Sequence, residues 1–324
     1  MNVYLTIDTE MATGLYRALG KDSVREVFDR SIRGKTTTRD VGVGYQMDVL
    51  DRYGLKAVFF VDPMPAMVFG AGIVREMVEP ILERGHDVQL HLHSEWLKYA
   101  EGALLGGKKG DDIKNFDLQD QVALIRYARD TLMEAGAPAP VAFRAGNYGA
   151  NDNTLRALAL NQITHDSSFC PGIHKSNCDI QLPDCTFEPV SHCGVLEVPI
   201  GAIASHGGGR RHAQLTALSF WEMRDAIRYM QQAGFRFFTL VSHSFEMMSR
   251  DRRRANVVVV RRFERLCQAL SLMPAVQVST YRDAPPALAK NAGCIHPPML
   301  PHRYVRTVAR YCEQAVSNCF FGAR

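Results

Sequence analysis

Apolar residues recur along the 324-residue chain in two alternating rhythms. "NVYLTID" and "LKAVFFV" are short β-branched and aromatic runs of the kind that fill buried strands. "VGVGYQMDVLDRYG", "GIVREMVEPILERG" and "DLQDQVALIRYARDTLMEAG" instead space their apolar residues three and four apart, which gives a helix with one buried face. Each of these three closes on a glycine, a common helix stop. The alternation continues through "HDVQLHLH" and "PVAFRAG" as strands and "NDNTLRALALN" as a helix with an Asn or Asp cap. "GVLEVPIGA", "FRFFTLVSH" and "VQVSTYRDA" read as later strands, with helices at "SFWEMRDAIRYMQQAG" and "RRANVVVVRRFERLCQALS".

About seven strand–helix units in one domain predict an α/β fold with a parallel sheet and helices outside it, a (β/α)7-type distorted barrel. The barrel is expected over residues 1–285, with an irregular cysteine-rich insertion at 170–194. Proline crowds residues 284–302, so 286–324 reads as a linker followed by a short amphipathic tail helix, "YVRTVARYCEQAVSNCFF".

Composition narrows the class only a little. Hydrophobic residues at 46% and charged residues at 22% are the balance of a globular protein. A net charge of +4 is too mild to argue for nucleic acid, and no apolar run is long enough to span a bilayer. "MNVYLTIDTE" lacks the features of a signal peptide, so the expected location is the cytoplasm and the eight cysteines are expected to be reduced thiols. Cys170, Cys178, Cys185 and Cys193 are spaced too widely to resemble a structural zinc site.

The strand ends carry the chemistry. In a parallel barrel, functional groups gather at the C-terminal ends of the strands. Asp8 and Glu10 follow "VYLTI", His91 and His93 end "DVQL", Arg144 ends "PVAF", and His243 and Glu246 follow "FFTLV". Residues i and i+2 of a strand share a face, so His91 and His93 can enter one cavity, as can Asp8 and Glu10. Two imidazoles and a carboxylate make an open site for a divalent metal, zinc being the commonest choice. Glu95 competes as a donor if the chain turns into a helix after His93. One of Asp8 and Glu10 could ligate the metal while the other acts as a base, and His243 is a candidate acid for a leaving amine. Asp62 before Pro63 is either a rim ligand or a turn former, and "GGGRR" at 207–211 reads as a solvated basic loop.

These motifs, in this order, resemble those of the polysaccharide deacetylases, the NodB-homology or carbohydrate esterase family 4 group, from Met1 to about Pro285. "LTIDTE", "ERGHDVQLHLHSEW", "FRAGNYGAN", "LEVPIG" and "TLVSHSFEM" stand where that family has its acidic, first histidine, arginine, late-strand and final histidine motifs. "HLHSEW" is most similar to the WalW-like branch associated with lipopolysaccharide and O-antigen biosynthesis. The resemblance implies a barrel of the NodB type that removes acetyl groups from N-acetylated sugars with a divalent metal. Asp8 then matches the catalytic base, Arg144 the residue that keeps that base charged, His243 the general acid and His91 the first metal histidine. Two positions depart from the family pattern. Thr9 stands where many members have a second aspartate, so Glu10 takes the acidic-ligand role. Glu95 stands where the second histidine is expected; His93 is preferred because it shares the His91 face, with Glu95 as the alternative. Asp166, Asn147 and Tyr148 are candidates for orienting or substrate-binding roles.

The expected activity is N-deacetylation of a nucleotide- or lipid-linked sugar in surface-polysaccharide biosynthesis. The alternatives are a hydrolase of a non-sugar amide on the same scaffold and a catalytically degenerate glycan-binding domain. The tail, with Arg306, Arg310 and two phenylalanines, is a candidate for peripheral contact with an anionic membrane.

Overall fold

Eleven strands are found among the residues the structure describes, and nine of them form one sheet. The structure is a computed structural model and describes residues 1–102, 104–173, 176–288 and 299–322. The strands are β1 (Asn2–Thr9), β2 (Val58–Val61), β3 (Asp87–Leu92), β4 (Ala142–Ala145), β5 (His165–Asp166), β6 (Val190–His192), β7 (Val195–Glu197), β8 (Ala202–Ala204), β9 (Arg210–His212), β10 (Phe237–His243) and β11 (Gln277–Val278). The main sheet runs β10-β1-β2-β3-β4-β5-β7-β6, with β11 also paired to β1. All its pairings are parallel except β6 with β7. Strands in such a sheet are covered on both faces, which is why β2 and β3 are buried throughout.

The sheet curls, and its gap is bridged by the chain that follows β7. Gly201 N donates to Thr239 O at 3.0 Å, Leu215 N to Val241 O at 2.9 Å and Val241 N to Ala213 O at 2.9 Å. Seven parallel strands therefore ring the core, with a break where single bonds replace a ladder. This is the distorted barrel expected from the sequence.

The predicted long helices form at Val43–Arg52, Gly72–Glu83, Leu118–Glu134, Asp152–Leu160, Phe220–Gln232, Val257–Ser271 and Tyr304–Phe321. Their starts follow the capping chemistry. Asn151 accepts from Thr154 N while the Thr154 hydroxyl accepts from Asn151 N, and Ser219 and Glu222 make the same reciprocal pair.

Some expectations are corrected. The last strand shrinks to Gln277–Val278, and β5 forms where no strand was predicted. Two short helices, Thr13–Leu19 and Val24–Phe28, were not foreseen. Cys185 is disulfide-bonded, against the expectation of reduced thiols. Of the proline-rich stretch at 284–302, residues 289–298 lie outside the described residues. The tail helix docks on the barrel: Arg310 is buried beside Glu222 at 3.4 Å, Glu313 meets Arg262 at 2.7 Å, and Arg306 meets Asp225 at 3.3 Å. The two arginines that suggested contact with a membrane are thus engaged with the barrel.

Candidate active site

Parallel register aligns the strand ends. Asp8 lies opposite His243 in the β1–β10 pair, and His91 lies opposite Arg144 in the β3–β4 pair. Glu10, one residue beyond β1, keeps the face of Asp8. His93 is extended, with φ −104° and ψ 104°, so it continues the face of His91 beyond the end of β3.

Three donors converge there. Glu10 Oε2 lies 3.0 Å from His91 Nε2 and 2.5 Å from His93 Nε2. His91 Nδ1 is 2.7 Å from the Arg144 carbonyl oxygen, which can only accept, so Nδ1 donates there and Nε2, 3.0 Å from Glu10 Oε2, is the nitrogen that faces the pocket. Gly146 makes room for His93: a Cβ at that position would lie 2.7 Å from the imidazole. Burial favours the neutral form of His93, but the charge of Glu10 and its hydrogen bond outweigh this and push it up to about 10. Burial also opposes the Glu10 carboxylate, yet the two histidines hold it well below the usual range. In the absence of other cations the acid and imidazoles therefore stabilise one another. These are the donor types of an open divalent-metal site, and the bond that orients the His91 ring through Nδ1 fits that use.

Glu95 lies outside this trio. It accepts from Thr13 Oγ1 and, at 3.1 Å, from Asn147 Nδ2. Asp62 forms the turn: Oδ1 accepts from Met64 N at 3.1 Å and from His93 N at 3.3 Å. Its other oxygen is buried without a partner, and burial raises its carboxyl to about 6.

Beside the trio stands a second group. Arg144, fully buried, donates from Nη1 to Asp8 Oδ1 at 2.5 Å and to Thr6 Oγ1 at 2.9 Å. Its Nε and Nη2 bond Ser167, and its guanidinium lies 4.4 Å from the Phe60 ring centre. Asp8 Oδ2 is 3.9 Å from His243 Nε2. Burial again favours neutral His243, but Glu246, then Asp8 and Glu10, push it up to about 9. Glu246 is held by Thr216 Oγ1 at 2.6 Å and by the Gln214 amide.

The three candidate orienting residues separate. Asp166 is buried on β5, where it accepts from Ser168 N and Oγ and faces Glu197, its register partner on β7. Burial raises both carboxyls, and the charge of Asp166 adds to burial in driving Glu197 well up. Asn147 and Tyr148 both have left-handed backbone, φ 54° and 56°, just past Arg144. Two such non-glycine residues in succession mark a strained turn at the rim. The Tyr148 hydroxyl is buried without a partner, and its ring packs beside Cys170. Cys170 also lines a cavity of about 550 Å³ between the cysteine-rich segment and Gly208, Gly209 and Arg210 of the "GGGRR" stretch.

Sequence reasoning missed Gln214, Thr216, Glu197 and Gly146. Gly146 left a trace, a glycine soon after a strand-end arginine, but it does not identify its contact without the fold.

No family model and no curated protein matches the sequence. Solved structures do match. One is a "putative polysaccharide deacetylase from Mycobacterium smegmatis", 16% identical, covering 90% of this chain and 94% of that one with a TM-score of 0.56. Others are a family 4 carbohydrate esterase from Streptomyces lividans (13% identity, 90% and 98% covered, TM-score 0.43) and a 4-alpha-glucanotransferase from Thermococcus litoralis (10% identity, 87% and 40% covered, TM-score 0.47). Of these three, the first has a TM-score that defines a fold, and at its identity it defines the fold alone. The chain thus shares the barrel fold of that structure.

Proposed function

We propose that the chain is a metal-dependent N-deacetylase of an N-acetylated sugar. The observation that carries this reading is the convergence of Glu10, His91 and His93 beside the Arg144–Asp8–His243 group. The likeness to a deacetylase-type barrel supports it. A divalent ion held by Glu10, His91 and His93 would supply Lewis-acid polarisation of the acetamide carbonyl and a more acidic water, and zinc suits these donors. Asp8 accepts the proton of the attacking water at Oδ2, the oxygen left open while Arg144 holds Oδ1. Water adds to the carbonyl carbon, the C–N bond breaks, and acetate and a free amine result. His243, raised to about 9, carries a proton at neutral pH and gives it from Nε2 to the departing nitrogen.

The finer reading, a nucleotide- or lipid-linked sugar in lipopolysaccharide or O-antigen biosynthesis, is supported by the "HLHSEW" resemblance. An acetate-release screen of the zinc-loaded protein on nucleotide- and lipid-linked N-acetyl sugars tests both levels. Release from some member of the set is expected. A zinc-replete protein that releases no acetate from any of them would overturn the reading.

A further inference from the structure

Beyond His243 the chain forms a loop that ends at Asn256 and carries four arginines, Arg250, Arg252, Arg253 and Arg254. None of them has a carboxylate within ion-pair distance among the described residues. The one acid of the run, Asp251, accepts from Ser249 Oγ at 2.6 Å and from Arg253 N at 3.2 Å. Arg250, Arg253 and Arg254 are exposed, but Arg252 is half-buried.

Arg252 is held in place without being neutralised. Its backbone is left-handed, φ 53°. Its guanidinium lies 3.7 Å from the centre of the Phe245 ring, and that ring is 5.4 Å from the His243 ring. Nη1 donates to Ser31 Oγ at 3.0 Å. Glu10, in the proposed metal pocket, is the acid whose charge bears on it. A guanidinium has five N–H donors, and among the described residues one is used here. A half-buried cation with no carboxylate at ion-pair distance among the described residues is costly, so such an arrangement favours an incoming anion.

We infer that Arg252 binds an anionic group of the substrate, a carboxylate or a phosphate, on the His243 side of the scissile amide. The planar fork of arginine matches both groups, and three further arginines on the same loop add positive charge nearby. The inference rests on the deacetylase reading and names a substrate class within it: an N-acetylated sugar that is itself acidic or carries a phosphate. The competing role is structural, with Arg252 simply pinning the loop to Ser31.

Binding tests it independently of turnover. The zinc-loaded protein is titrated at fixed ionic strength with N-acetylglucosamine, N-acetylglucosamine 1-phosphate and N-acetylglucosaminuronic acid. At least one anionic sugar should bind about tenfold tighter than the neutral one, as expected for a charge-assisted hydrogen bond. The tighter of the two separates phosphate from carboxylate. In Arg252→Gln the ratio of anionic to neutral affinity should fall to about one. A structural role would weaken all three together and lower the melting temperature. Arg252→Lys, which keeps the charge and loses the fork, should reduce the ratio and serves if the glutamine variant is unstable. Equal affinities in the wild type, a preference that survives the substitution, or no binding of any of the three would overturn the inference. An anionic preference without acetate release would overturn the deacetylase reading and leave the anion site standing.

Discussion

Asp8 shows how much one residue's role depends on its two oxygens. Arg144 occupies Oδ1 at 2.5 Å and leaves Oδ2 toward His243. Asp8→Asn keeps an oxygen for Arg144 and removes the basic charge. The variant should therefore bind zinc like the wild type while kcat falls by about 100- to 10,000-fold, the usual worth of a general base. Loss of zinc in the variant, read by elemental analysis, would make Asp8 a ligand instead. His243 gives a pH prediction. A group raised to about 9 is protonated below that value, so kcat/KM should fall as pH rises through about 9. Glu246 is the largest force raising it against burial, so Glu246→Gln should move that alkaline limb to lower pH. An unmoved limb would remove Glu246 from the tuning. Asp8, Glu10, His91, His93, Arg144 and His243 were legible because each ends a strand or lies just beyond it, where polar residues have no packing reason to be. Gln214 and Thr216 were not, since they reach the site from connections whose path only the fold sets.

At the scale of elements, β3 and the turn after β4 make the pocket together. The face shared by His91 and His93 follows from strand alternation, and so could be read in advance. The dependence of His93 on Gly146 could not, because it arises between strands. Gly146→Ala places a methyl 2.7 Å from the imidazole, and the ring must move. Zinc affinity should fall by about 10- to 100-fold, as when other supports of a ligand are lost, with the global fold retained. Titration against a chelator of known affinity checks this, and an unchanged affinity would exclude His93 from the shell. The long helices were legible from period and caps. The short ones at Thr13–Leu19 and Val24–Phe28 have no side-chain cap bond, and β5 and β11 are two residues long, too short for any period to register. The tail helix was legible as amphipathic, but not its anchor. Arg310→Ala leaves the Glu222 carboxylate buried without its cation, and should cost about 3 kcal/mol in denaturant unfolding. A change near zero would mean that the helix contributes little to holding the barrel.

For the whole molecule, the parallel register brings β1, the first strand, beside β10, 235 residues later by the Asp8–His243 pairing, and the site exists only once that pair has formed. The alternation of strands and helices foretold this barrel, while the break between β7 and β10 depends on single bonds that leave no periodic mark. The compartment remains a proposal. The cytoplasm was expected from the N-terminal sequence, and the disulfide at Cys185 weighs against a reducing one. Thiol trapping of the native protein should leave Cys185 unmodified before reduction, and a labelled Cys185 would restore the expectation of a reduced chain. The central claim is that Glu10, His91 and His93 hold the metal with which Asp8 hydrolyses an N-acetyl group. Its most direct test is acetate release from a substrate found in the screen, measured after chelation and again during stepwise return of zinc. Activity should vanish on chelation and return in full at one zinc per chain, with His91→Ala failing to recover. Full activity in the metal-free protein, or full recovery of His91→Ala at one equivalent, would contradict the claim.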